Sequence, residues 1–186
     1  MSEIGTYERN FRALCILCEL GASVVEHLFS VDSEIRMDKI LHYDVRLRCD
    51  PHRAFEMFAT NSLLESWLTS LADVEPVVGG RYELFWEPDD KENNSTIGCK
   101  ITAVEPDQFL SFEWRSPKQF KHFANDADPL THVVVFFVPC GESTHVHLIH
   151  SGWRSTPEWE EARQWQGQAW SMAFERLEKL VNSESA

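Results

Sequence analysis

The chain has 186 residues, 43% of them hydrophobic, which is enough for one compact domain with a substantial core. Asp and Glu number 30 against 17 for Lys and Arg, and the formal charge of −13 disfavours binding to nucleic acid or an anionic membrane. Five cysteines, an odd number with only one close pair, do not resemble the disulfide framework of a small secreted protein and favour a reducing cytoplasm.

The stretch before Met37 is predicted to be a helical appendage, residues 1–36, followed by one domain over residues 37–186. Apolar side chains at three- and four-residue steps predict an amphipathic helix within this appendage. Two glutamates interrupt its apolar run, which argues against a signal peptide or a membrane anchor. Cys15 and Cys18 form a C-x-x-C there, but no second cysteine pair completes a zinc site, so buried thiols are expected.

Regular structure after the appendage is predicted to begin with a strand, because residues 40–49 alternate between apolar and polar side chains. Asp50 and Pro51 then provide an N-cap and a first helical residue. Residues 51–67 place apolar side chains at helical spacing on both sides of a Thr-Asn-Ser break. The pattern predicts two short helices joined by a turn.

The middle of the chain is predicted to form further strands joined mostly by hairpins. Two adjacent glycines mark the turn of the first hairpin, and alternating segments predict strands within 95–104, 109–115 and 131–151. Residues 116–130 form a long connection between two of these strands.

The chain ends in a long predicted helix, and this helix defines the fold class. At about 100° per residue its apolar side chains form one stripe, from which Trp165 is absent. A meandering antiparallel sheet has one face to cover, and the terminal helix is available to cover it. The prediction is an α+β helix-grip, with a curved antiparallel sheet of about seven strands around a long C-terminal helix and two short helices after the first strand. The stripe consists of Trp159, Ala162, Gln166, Trp170, Ala173, Phe174, Leu177, Leu180 and Val181.

Three histidines in six positions, in the segment HVHLIHSGW, raise the question of a metal site or an acid/base centre. Side chains on a strand alternate faces, so His145 and His147 are predicted to point to solvent while His150 points toward the helix. The outward pair, with His132 on the neighbouring strand, could bind zinc, but no carboxylate or thiolate is obviously placed to complete the site, and no metal is predicted. His150 is either a hydrogen-bonded core histidine or a group that orients a ligand.

One run of residues resembles a known family. The pattern T-x-V-x-V-x-F-x-P-x-G-x-x-T-x-V-x-L-x-H-x-G-W at 131–153 is similar to the closing hairpin of the activator of heat shock protein 90 ATPase homologues, in the START-like (SRPBCC) superfamily. Supporting matches are Pro51 to Trp67, the Val-Gly-Gly before a strand, and Ala169-Trp170 in the last helix. The resemblance covers about residues 40–182. It implies a curved sheet around the C-terminal helix, with a cavity that holds apolar small molecules in related members.

The cavity that this resemblance implies would be lined by large side chains on the concave face of the sheet and on the helix. The long connection could fold over its mouth as a lid carrying Phe120 and Phe123, or it could be a solvated loop. The predicted ligand contacts are Tyr82, Leu84, Trp86, Cys99, Phe112, Trp114, Val135, Phe137, His150, Gln166, Trp170 and Phe174.

The sequence favours a cytoplasmic, non-enzymatic START-like domain that binds a small apolar or amphipathic ligand and carries no cofactor. A protein-interaction or chaperone-associated stress module is the alternative, and a homodimer or a chaperone partner is compatible with both. An enzyme that uses His150 as acid or base is a further alternative. No Ser-His-Asp order, G-x-S-x-G motif or phosphate-binding glycine loop occurs, so no catalytic residues are predicted.

Overall fold

A computed structural model describes residues 39–184 of the chain. The predictions made for residues 1–36, including the amphipathic helix and the Cys15–Cys18 pair, lie outside the described residues, and the boundary at Met37 stays a prediction.

The described part contains seven strands and four helices, in the predicted order except for one short unpredicted helix, α3, within the long connection. In chain order they are β1 (Leu41–Leu47), α1 (Pro51–Ala59), α2 (Asn61–Trp67), β2 (Leu71–Val74), β3 (Tyr82–Phe85), β4 (Ile101–Glu105), β5 (Phe109–Trp114), α3 (Lys121–Ala124), β6 (Thr131–Cys140), β7 (Ser143–Ser151) and α4 (Pro157–Glu184). Asp50 caps α1 as predicted, because its side chain accepts a hydrogen bond from the Arg53 backbone N–H at 2.8 Å.

The strands form an antiparallel sheet in the order β1-β7-β6-β5-β4. The β2–β3 hairpin extends this sheet through an isolated bridge between Arg81 and Lys100. Strand β1 pairs with β7 rather than with its neighbours in sequence, and Val45 lies opposite Val146. The predicted helix-grip fold is confirmed, since one long helix covers one face of this sheet with its apolar stripe.

One segment differs from the prediction. Residues 95–104 alternate in sequence, but regular pairing begins only at Ile101, where β4 starts. Gly98 adopts a left-handed φ of 81°, which ends any continuous strand at that point. Cys99 and Ile101 are buried as the alternation predicted, but before Gly98 the pattern fails, because Thr96 is fully buried and Ile97 only partly.

Buried side chains fill the centre of the interface between the sheet and α4. The rings of Tyr82 and Phe112 stack with centroids 3.7 Å apart, and Leu148 and Leu177 are fully buried. At Gly167 the helix comes so close to β1 that the Tyr43 hydroxyl donates a hydrogen bond to the Gly167 carbonyl at 2.6 Å. A Cβ at position 167 would lie 3.1 Å from that hydroxyl oxygen, so glycine permits this approach.

Candidate functional site

A cavity of about 520 Å³ lies where α4 passes the ends of β3 and β5. Trp86 follows β3, Trp114 ends β5, and both line the cavity together with Trp165 and Trp170 of the helix. Its volume falls in the range of about 300–1,000 Å³ that is typical of small-molecule sites. These four indole rings are the largest apolar side chains of the lining.

Hydrogen bonds to neighbouring groups hold three of these indoles. The Trp86 N–H donates to the Leu68 carbonyl at 2.8 Å, and the Trp114 N–H donates to Gln166 Oε1 at 3.1 Å. The Trp170 N–H donates to His150 Nδ1 at 3.1 Å. The Trp114 and Trp170 ring centroids are 4.8 Å apart. Because the N–H of each of these three rings already has an acceptor, the rings are held in place and present apolar faces to the cavity.

His150 lies behind this wall and does not line the cavity. Since Nδ1 accepts the Trp170 N–H, the neutral ring carries its proton on Nε2, which has no partner among the described residues. Complete burial lowers the pKa of His150 to about 3, so the ring is neutral near physiological pH. In this position His150 acts on the cavity by orienting Trp170.

The predicted ligand contacts divide into two groups. Trp86, Trp114, Gln166 and Trp170 line the cavity. The other eight are buried core residues that do not line it, because the concave face of the sheet is filled by its own side chains. They are Tyr82, Leu84, Cys99, Phe112, Val135, Phe137, His150 and Phe174.

The connection after β5 forms one side of the cavity mouth. Pro117 and Gln119 line the cavity, and α3 follows directly. Phe120 is buried against Trp165, with ring centroids 6.1 Å apart, and Phe123 lies 5.2 Å from Trp159 by the same measure. Both phenylalanines therefore pack against α4 in this structure, and movement of the segment as a lid stays a prediction.

Sequence reasoning missed several lining residues, above all Trp165, Met172, Arg115 and Arg176. Trp165 is 40% exposed and Met172 is 61% exposed, and both lie off the buried stripe of α4. A large apolar side chain on the polar face of an amphipathic helix was the available clue for both positions. Nothing in the periodicity distinguishes the two arginines from other surface cations.

The outward histidines lie on the opposite face of the sheet. His145 Nε2 is 2.8 Å from Asp44 Oδ2, and His147 Nδ1 is 3.3 Å from His42 Nε2, both across the β1–β7 pair. The carboxylate that seemed to be missing beside this pair is thus provided by β1. Hydrogen bonding with His145 lowers the pKa of Asp44. No group of three or more His, Cys, Asp or Glu side chains within 39–184 is placed to hold a metal ion.

His132 is separate from this cluster. Its Nε2 lies 2.7 Å from Thr102 Oγ1 and 3.2 Å from Ser111 Oγ, on β4 and β5.

Across residues 39–184, no helix has both the length and the apolar character needed to cross a membrane.

Comparison with solved structures gives the same fold. A protein from Mesorhizobium loti superposes with a TM-score of 0.64 at 25% identity, covering 77% of this chain and 97% of that one. The Aha1 dimer from Colwellia psychrerythraea superposes with a TM-score of 0.59 at 15% identity, covering 77% of this chain and 96% of that one. An HSP90 activator from Plasmodium falciparum superposes with a TM-score of 0.55 at 17% identity, covering 73% of this chain and 90% of that one. The last two similarities concern the fold alone.

Comparison with sequence families gives a direct match. No protein with curated annotation matches the chain significantly. The family described as activator of Hsp90 ATPase homolog 1-like protein matches residues 48–182, nearly three quarters of the chain. This range includes every described strand except β1, which ends one residue before it, as well as the cavity and almost all of α4. The chain therefore belongs to the activator of Hsp90 ATPase homolog 1-like family, with the START-like helix-grip fold.

Proposed function

We propose that this protein binds a small apolar or amphipathic molecule in the cavity between α4 and the ends of β3 and β5. The observation that carries the proposal is a cavity of about 520 Å³ lined by four indole rings, three of which are held by hydrogen bonds. Small-molecule binding sites are usually clefts in the protein surface with mostly apolar walls and a few polar groups. The family and fold are compatible with a ligand-binding or chaperone-associated domain.

The setting we propose is the cytoplasm. Cys99 and Cys140 are free thiols, as expected in a reducing compartment. The charge of −13 supports a small-molecule or protein partner over nucleic acid or an anionic membrane.

Filling the cavity should abolish binding. Ala169 lines the cavity and is only half-buried, so Ala169→Phe places a ring in the ligand space with little strain elsewhere. We expect decan-1-ol to bind the wild-type protein saturably and the variant at least about tenfold more weakly, measured by isothermal titration calorimetry.

The matched control is Ser171→Phe, which adds the same ring to an exposed position of α4 outside the cavity. It should bind decan-1-ol as the wild type does, and thermal unfolding checks that both variants remain folded. Equal affinity in Ala169→Phe, or no saturable binding by the wild-type protein, would contradict the proposal.

Association with an Hsp90-class chaperone is a second candidate function. It is supported by the family description and by the exposed apolar side chains Phe136 and Val138 on the outer face of β6, which are 39% and 46% exposed. A Phe136→Ser, Val138→Ser variant would lose chaperone binding on this alternative and would leave decan-1-ol binding unchanged.

A further inference from the structure

We propose that the cavity selects amphipathic anions, with the guanidinium groups of Arg115 and Arg176 binding the acidic head while the indole wall packs against the apolar body. The inference rests on the proposed function, because it names the class of ligand for that same site. Arg115 follows Trp114 at the end of β5, and Arg176 lies about two and a half turns after Gly167 on α4. Both line the cavity.

Neither guanidinium is held by a carboxylate within residues 39–184, although acidic residues outnumber basic ones by 30 to 17 in the chain. Three other arginines have such a partner: Arg53 Nη1 lies 3.9 Å from Glu56 Oε2, Arg81 Nε lies 3.0 Å from Asp73 Oδ2, and Arg163 Nη2 lies 2.6 Å from Glu160 Oε1. Arg46 and Arg154 instead donate hydrogen bonds to neutral oxygens. In so acidic a protein, two arginines that have no carboxylate partner and line the same cavity favour the binding of anions there.

Arg115 gives the more specific evidence. Its Nε is buried and has no hydrogen-bond acceptor among the described residues. A buried donor without an acceptor is costly, and a bound carboxylate oxygen would satisfy it. The guanidinium interacts with the Cys99 thiol, and the carboxylates of Glu113 and Glu83 act on the same thiol from a distance. Burial raises the pKa of that thiol to about 12. Cys99 is therefore neutral near physiological pH and does not neutralise Arg115.

Arg176 completes the site at the cavity rim. It is exposed, and its Nε donates to the Met172 carbonyl within the helix at 3.3 Å. Glu87 is the one carboxylate on the cavity lining, and its Oε1 accepts a hydrogen bond from Asn94 at 2.7 Å. Two guanidinium groups and one carboxylate give the lining a net charge of +1, opposite in sign to that of the whole chain.

The test compares three probes with the same ten-carbon chain: decanoate, decan-1-ol and decyltrimethylammonium. We expect decanoate to bind about tenfold more tightly than decan-1-ol, and the cation to bind more weakly than either. Rising NaCl concentration should weaken decanoate binding and leave decan-1-ol binding unchanged, because only the first contains a charge interaction that salt screens.

Two variants assign the effect to the arginines. Arg115→Gln should weaken decanoate binding about tenfold, because this guanidinium is partly buried, and Arg176→Gln about threefold, because its guanidinium is exposed. Decan-1-ol has no charge to lose, so its binding should weaken less than decanoate binding in each variant. Lys179→Gln removes one positive charge from the same helix outside the cavity and should leave both affinities unchanged.

The outcomes separate the two proposals. If no probe binds saturably, the proposed function fails. If decan-1-ol binds as tightly as decanoate, or if decanoate binding is insensitive to salt, ligand binding stands and the selection of anions is wrong. The salt dependence is measured on the wild-type protein, so it decides the question even if Arg115→Gln does not fold.

Discussion

Substitution of His150 by glutamine should make the free energy of unfolding much less dependent on pH between pH 7 and pH 5 than it is in the wild-type protein. The unfolded histidine titrates at 6.5, whereas burial lowers the pKa in the folded protein to about 3. Between these values the unfolded state takes up a proton that the folded state does not bind. The stabilisation is therefore complete above pH 6.5 and is lost as the pH falls, by about 1.4 kcal/mol per unit, or about 2 kcal/mol at pH 5.

Urea unfolding at the two pH values measures this difference. Glutamine can still accept the Trp170 N–H bond, but it does not titrate. His122→Gln is the control, since His122 is exposed, and it should keep the wild-type pH dependence. Parallel pH dependence in the wild-type and His150→Gln proteins would show that His150 is not the buried neutral group described above.

The two tryptophans Trp165 and Trp170 should differ strongly in their contribution to stability. Trp170 is 1% exposed and bonded to His150, so Trp170→Ala leaves a large void and an unpaired imidazole nitrogen. The expected loss is about 3–5 kcal/mol. Trp165 is 40% exposed on the same helix, and Trp165→Ala should cost less than about 1 kcal/mol.

Both rings line the cavity, so the same pair of variants also separates stability from binding. Trp165→Ala should weaken decan-1-ol binding in a protein that remains nearly as stable as the wild type. Denaturant unfolding gives the stabilities and calorimetry the affinities. Similar destabilisation by the two substitutions would mean that α4 does not present Trp170 to the core as described.

The alternation of residues was sufficient to predict the faces of the sheet. Val146, Leu148 and His150 are fully buried, whereas His145 and His147 lie on the outer face, as the strand pattern predicted. The neighbours of those histidines were not predictable. Asp44 and His145 are 101 residues apart in sequence, and only the pairing of β1 with β7 brings them together. Periodicity determines which way a side chain faces but contains no information about which strand lies beside it.

The position of the cavity was also beyond the reach of the sequence pattern. The prediction put ligand contacts along the whole concave face, including Tyr82, Phe112 and Phe137, which instead pack together in the core. The cavity lies instead toward the ends of β3 and β5, beside Trp86 and Trp114. Whether facing side chains fill the volume between a sheet and a helix depends on their packing in three dimensions, which spacing along the chain does not give.

Intermolecular NOEs from carbon-13-labelled decan-1-ol test the location of the ligand most directly. We predict contacts from its alkyl chain to the indole protons of Trp114 and Trp170 and to the Met172 methyl group. Contacts instead to Phe136 and Val138 on the outer face of the sheet, or saturation without any contact to the indoles of α4 and β5, would contradict the assignment of a binding site at this cavity.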